Sequence, residues 1–269
     1  MSATAAVPKP RQAARLRLPE RARHWLIGGA AIVVALVAWQ LVVGAGLIKA
    51  AYAGTPGTVL GAGWTMLTDG ELVTNGGPSL IAFVVGFGIS VVIGVPLGLA
   101  MGWNRTVRQL VQPPIMALYV TPRLALLPVI VVWLGIGVRT AIVVILIGAM
   151  IPIIVNAMAG VRDVDAKLVQ VARSFGASRM DLFRKVLLPS ATPLILSGIR
   201  LAVGSAVLGV VISELYVSIQ GIGRLVSSYG QAYQTNYIVF LVLLVATFGW
   251  AVTALVRLVE RRVERWRGA

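Results

Sequence analysis

Residues 138–189 read VRTAIVVILIGAMIPIIVNAMAGVRDVDAKLVQVARSFGASRMDLFRKVLLP, and this stretch decides the fold. Val138–Ala159 carries one charge, Arg139 at its edge, and about 20 mainly apolar residues suffice to cross a bilayer. From residue 160 to 189 the chain turns polar, basic and helical in pattern. Leu168, Val171, Ala172 and Phe175 fall at helical spacing, which predicts an amphipathic helix over Asp165–Phe175. Gly176 stands where a left-handed glycine would end it. Ser178 followed by Asp181 resembles a capping box. A second helix would carry Leu182, Phe183 and Val186 on one face, with Pro189 expected to end it. A further apolar run, Ala191–Leu215, follows. The order is therefore span, helix–Gly–helix, span. A surface hairpin that is apolar on one side and basic on the other suits protein docking; a hairpin resting on lipid is the other reading.

Working outward, the apolar runs Trp25–Ile48, Ser79–Gly102, Pro113–Leu134 and Tyr237–Val259 bring the spans to six. Pro122 and Pro128 are expected to break or kink the third. Trp25–Ile48 is too long for a signal-peptide core and reads as a retained span. Thr58–Leu67 reads as a short surface helix. Of 269 residues, 58% are hydrophobic and 12% charged, against about 25% charged in soluble domains; with a mean hydropathy of +0.89, the solvent is lipid. The expected architecture is an all-α polytopic membrane protein with six transmembrane helices. A basic tail (1–24) precedes the six-helix domain (25–259, loop 160–189 included), and a basic tail (260–269) follows it.

With 24 basic and 9 acidic residues the formal charge is +15, and its placement sets the topology. The N-terminal tail holds six basic residues, the loop 103–112 holds Arg105 and Arg108, the loop 160–189 holds six, and the C-terminal tail holds five, which makes 19. The other side receives Lys49, Arg139 and Arg224. Positive-inside counting puts both termini and both basic loops in the cytoplasm. The charge reads as a topology signal attracted to anionic membrane lipid, not as a nucleic-acid patch. The Ala-, Pro- and Arg-rich segment 1–24 reads as a disordered or surface-lying arm.

Several chemistries are excluded. The chain has no Cys and one His, His24, so thiolate or His-based metal sites and Ser-His triads have no residues to build them. None of the four lysines sits in a phosphate-binding glycine loop. Nucleotide hydrolysis would have to come from a partner, and no cofactor or metal is expected on this chain.

Charges inside spans are costly and normally face protein or water. Arg123, beside Pro122 in the broken third span, and Arg200, about ten residues into the fifth, are candidate pathway residues for an anionic solute. Snorkelling or a structural ion pair is the alternative for each. Glu214, at the outer end of the fifth span, is open to three readings: partner of an Arg, part of an outer gate, or an interfacial residue. Gly94, Gly98 and Gly102 form a small-residue ladder that permits close helix approach, within the subunit or across a dimer seam. Asn156 suits an interhelical hydrogen bond. Trp25, Trp103, Trp133, Trp250 and Trp266 lie near span ends, as an interfacial belt does.

The loop resembles the cytoplasmic signature of binding-protein-dependent ABC transporter permeases, written E-A-A-x3-G-x9-I-x-L-P. Here Gln170-Val171-Ala172 precede Gly176 at the required spacing, and Val186-Leu187-Leu188-Pro189 match its end. Gln170 replaces the usual Glu, and Val171 the first Ala. The stretches 113–137 and 193–215 are similar to the nitrate/sulfonate/taurine branch of that family. The resemblance implies a six-helix inner-membrane permease, commonly a homodimer, working with cytoplasmic ATPases that use ATP and Mg and with an extracytoplasmic solute-binding protein. It implies ATPase coupling through Gln170, Ala172, Arg173, Gly176, Ala177 and Pro189. The expected function is import of a small anionic solute by alternating access in a prokaryotic cell membrane, the chain itself being no enzyme. An ATP-independent secondary transporter or channel is the alternative, and the absence of an obvious inverted repeat speaks against it.

Overall fold

A computed structural model describes residues 20–267. Residues 1–19 of the basic tail lie outside the described residues, as do the side chains of Trp25 and Trp266. Of the described residues, 20–50 form one compact unit and 51–267 a second. The first unit holds helix α1 (Glu20–Gly44). It stops four residues short of the expected end of the first span, and Gly46 follows at φ 73°.

The second unit is helical throughout: α2 (Ala50–Ala53), α3 (Pro56–Thr68), α4 (Glu71–Trp103), α5 (Arg105–Val120), α6 (Arg123–Leu134), α7 (Val138–Arg162), α8 (Ala166–Ser174), α9 (Arg179–Leu182), α10 (Leu188–Val217), α11 (Ile222–Gln231) and α12 (Thr235–Arg267). Among the described residues five helices are long and apolar enough to cross a membrane, and the bent pair α5–α6 makes a sixth crossing if counted as one.

Helix α7 is the most buried span because it lies between α4 and α10. Glycines let the backbones meet. A Cβ on Gly98 of α4 would sit 2.6 Å from the Ile154 carbonyl oxygen and 2.7 Å from Ala157 Cβ of α7. Gly94 faces Ile153 and Gly102 faces Val161 in the same way. From the other side, Gly198 of α10 meets Asn156 and Gly209 meets Ile145. The ladder 94–98–102 is thus spent on packing within the subunit. Lipid tails are as apolar as leucine, so such close van der Waals contact, more than a hydrophobic drive, holds spans together. Gly98→Val is expected to destabilise the protein by about 1–3 kcal/mol or more through overpacking. Thermal unfolding of the detergent-solubilised protein checks this, and an unchanged midpoint would show that α4 and α7 are not in contact there.

Three expectations about helix boundaries need correction. The third span bends by 104° between α5 and α6, and only Pro122 makes the break. Thr121, held extended by the proline after it, turns the chain at φ −69°, ψ 126°. Pro113, Pro114 and Pro128 sit inside helices, where one lost backbone bond is tolerated in a membrane bundle. The basic segment 103–112 is accordingly not a loop: Arg105 and Arg108 belong to α5, whose start is capped by Asn104 Oδ1 accepting from Thr106 N–H at 2.8 Å.

Pro189 does not end a helix either. The chain is helical from Arg179 to Val217, with one π turn over Phe183–Leu187 in which Leu188 N–H donates to the Phe183 carbonyl. The wider turn makes room for the proline ring and removes the need for its missing N–H. Finally, α12 runs on to Arg267, so nothing in the backbone marks a boundary at 259/260.

On the side away from the 160–189 loop, α3 packs against α12. Its start is capped by Thr55, whose hydroxyl accepts from Thr58 N–H. Gly63 receives the ring of Phe240, and Met66 joins Ile222, Leu225 and Leu241 in a small core.

Candidate coupling hairpin and intramembrane polar groups

Asp165 opens α8 by accepting from Lys167 N–H at 2.8 Å. The helix closes in a Schellman motif: Gly176 N–H donates to the Arg173 carbonyl at 2.9 Å and Ala177 N–H to the Ala172 carbonyl at 3.1 Å. Gly176 takes φ 76°, the left-handed region that glycine enters without penalty. Ser178 then caps α9, its hydroxyl accepting from Asp181 N–H at 3.1 Å, and Asp181 pairs with Lys185 one turn on at 2.6 Å.

The apolar residues of this hairpin divide between two faces. Val169, Ala172, Leu182, Leu187 and Val186 pack inward on the ends of α4, α7 and α10, and Phe183 meets Trp103 edge-to-face at 5.0 Å. Leu168, Val171 and Phe175 point outward, with Phe175 87% exposed. Gln170 is exposed beside them. An outward apolar stripe at i, i+3, i+7 on a short, capped, anchored helix is built to be covered. Pro189 sits past the π turn, at the root of α10.

The three intramembrane charges separate into different roles. Arg123 is the first residue of α6, at the bend, and Gly148 makes room for it: a Cβ there would lie 2.8 Å from Nη1. With Tyr119, Asn156 and Ser205 it lines a cavity of ≈ 580 Å³. Among the described residues no carboxylate pairs with it. Asn156 turns its amide back on its own helix, donating to the Pro152 carbonyl at 2.8 Å.

Arg200 is engaged: its Nη1 reaches Glu260 Oε2 of α12 at 2.8 Å. Glu214 is 2% exposed and meets no cation among the described residues. Its Oε2 accepts from Ser79 Oγ of α4 at 2.8 Å and from Gly223 N–H of α11 at 2.9 Å. Ser79 Oγ in turn accepts from Ile222 N–H at 2.9 Å, and Asn75 Oδ1 from Gly221 N–H at 3.0 Å. Glu214 therefore holds the positive end of the α11 dipole. A second tie is Tyr229 of α11, whose hydroxyl donates to Glu71 Oε2 at 2.5 Å. Burial, then the Glu71 hydrogen bond and charge, push the Tyr229 phenol above its usual range, so it stays a donor at neutral pH.

A family model, the binding-protein-dependent transport system inner membrane component, matches residues 90–265, from the middle of α4 to the end of α12. The chain belongs to this family. Among curated relatives, the putative aliphatic sulfonates transport permease protein SsuC of Bacillus subtilis is 32% identical over 268 residues, covering 99% of this chain and 97% of its own. The SsuC protein of Escherichia coli is 34% identical over 92% of this chain and 95% of its own. The Escherichia coli taurine transport system permease protein TauC is 31% identical over 88% of each chain. Among solved structures, an inward-facing MetNI methionine ABC transporter aligns with a TM-score of 0.62 at 22% identity, over 72% of this chain and 96% of that one; this likeness concerns the fold. The protein is an ABC importer permease of the sulfonate/taurine branch, a multi-pass inner-membrane subunit without a catalytic role of its own. Membership implies association with an ATPase and a binding protein.

Sequence reasoning about this permease missed two parts. Helix α11 lies between the last two expected spans, where the sequence reading assigns no element, although Ile222, Leu225, Val226 and Tyr229 at helical spacing are a usable signal. Glu260 falls in the segment assigned to the basic tail (260–269), yet it is 9% exposed and paired with Arg200.

Proposed function

We propose that this permease imports a small anionic solute, of the sulfonate, nitrate or taurine kind, by alternating access driven by a cytoplasmic ATPase. The observation that carries the reading is the outward stripe Leu168–Val171–Phe175 on a hairpin whose inner face is packed on three spans. In this reading the ATPase covers the stripe; Gln170, Ala172, Arg173, Gly176, Ala177 and Pro189 fix its shape and attachment; and both termini face the cytoplasm. A second copy of the chain completes the pathway as a homodimer, a separate binding protein delivers the solute, and ATP and Mg are used on the ATPase. The relatives named for aliphatic sulfonates and taurine support the solute class. In this reading Arg123 attracts the anion, and two observations support it: it lines the cavity at the helix break, and it meets no carboxylate among the described residues.

The test is uptake into vesicles holding the permease with its ATPase and binding protein. Arg123→Ala is expected to fold, to keep basal ATPase activity and to lower anion uptake about ten-fold, the loss of one charge-assisted contact of about 1.4 kcal/mol. Undiminished uptake would remove Arg123 from the pathway. Flux through vesicles containing the permease alone would overturn ATP-driven import.

A further inference from the structure

Two neighbouring cavities beside the hairpin remain outside that reading. The first, ≈ 460 Å³, lies between the α4–α5 corner and the inner side of α8–α9, and three of its lining residues are Arg105, Arg173 and Arg179. Among the described residues none of these guanidinium groups is in an ion pair. All three are exposed, and cations lining one cavity give it a positive field that attracts an anion. The second cavity, ≈ 610 Å³, is a mainly apolar groove along α4 lined by Pro96, Leu99 and Ala100, with Met180, Phe183 and the cation Arg184 also lining it. Trp103 and Arg179 line both, so the basic cavity continues into an apolar groove that runs along a membrane span. Trp103 stands at their junction, the depth at which a tryptophan marks the membrane–water interface.

We propose that the two cavities together are a binding site for one anionic phospholipid: its phosphate between Arg105, Arg173 and Arg179, and an acyl chain along the Pro96–Ala100 face of α4. A soluble phosphate would use only the first cavity; the adjoining apolar groove selects the lipid. Bound there, the lipid ties α8 and α9 to the α4–α5 corner, on the opposite side of the hairpin from the exposed stripe. The site requires neither an ATPase nor a particular solute, so it stands or falls separately from the transport reading.

The full-length chain, reconstituted in phosphatidylcholine nanodiscs and titrated with phosphatidylglycerol, is released into detergent and its retained lipid measured by native mass spectrometry. Phosphatidylglycerol is expected to be retained in preference to phosphatidylcholine. Each basic residue near a membrane surface contributes about five-fold in affinity, so Arg105→Gln with Arg179→Gln should weaken retention roughly 25-fold. Ala100→Trp keeps every charge and fills the groove; it should also reduce retention while the thermal midpoint is unchanged, which separates lipid binding from misfolding of the arginine variant. Equal retention of the two lipids, or retention indifferent to both substitutions, overturns the proposal. So does inorganic phosphate that displaces the retained lipid completely, since that places the affinity in the first cavity alone.

Discussion

Gly176→Val is expected to leave the permease inserted in the membrane and to abolish ATP-coupled uptake. A Cβ at this position would meet nothing within 4 Å, so no steric clash with the bundle is involved. The effect acts through the backbone. At φ 76° a side chain pays about 1–2 kcal/mol, and more when β-branched. The Gly176 and Ala177 N–H bonds that close α8 depend on that conformation. The turn around Gly176 is exposed, unlike the packed inner face of the hairpin, so its local stability is small, and such a penalty shifts molecules to another angle between α8 and α9. Asparagine tolerates the left-handed region, and Gly176→Asn should retain much of the uptake. The measurement is solute uptake beside ATP hydrolysis in the reconstituted complex. Full uptake by the valine variant would mean that the hairpin angle is not what the ATPase moves.

Glu214→Ala should have the second largest effect. Removing the carboxylate leaves Gly223 N–H without its acceptor, and Ser79 without its stronger one, since Oγ also approaches the Asn75 carbonyl at 3.3 Å. Each buried polar group left unmatched costs about 1–3 kcal/mol, so a loss of about 2–5 kcal/mol is expected, concentrated on α11. Hydrogen exchange is the readout: amides of 221–226 should exchange much faster while those of α7 keep their protection. Glu214→Gln preserves one acceptor and should show a smaller change. Uniform acceleration across the bundle, or none, would contradict the anchoring role.

How much of this was legible in the sequence depends on range. The spans follow from local hydropathy, and the hairpin from the spacing of Ala172, Gly176 and Ser178, all within one short segment. The pairing of Arg200 with Glu260 joins residues 60 apart, and that of Ser79 with Glu214 residues 135 apart; no local pattern encodes either. Glu260 was obscured by its neighbours Arg257, Arg261 and Arg262, which read as a solvated tail. Pro189 misled because a proline in a sequence signals a stop, whereas a single π turn before it keeps the helix continuous. For Arg123 the sequence offers snorkelling, an ion pair or a pathway; the structure sets it beside a cavity and against Gly148, with no carboxylate partner among the described residues.

The glycine contacts along α7 also bear on motion. Where main chains touch, as at Gly98 on Ile154 and Gly198 on the Pro152 carbonyl, sliding one helix past another would drive atoms through each other. Helices α4, α7 and α10 must therefore travel as a block, and any change of shape has to occur around them. The chain turns through 104° at Thr121–Pro122, inside what would otherwise be one span, so the corner carrying Arg123 is a joint at which such a change can be taken up.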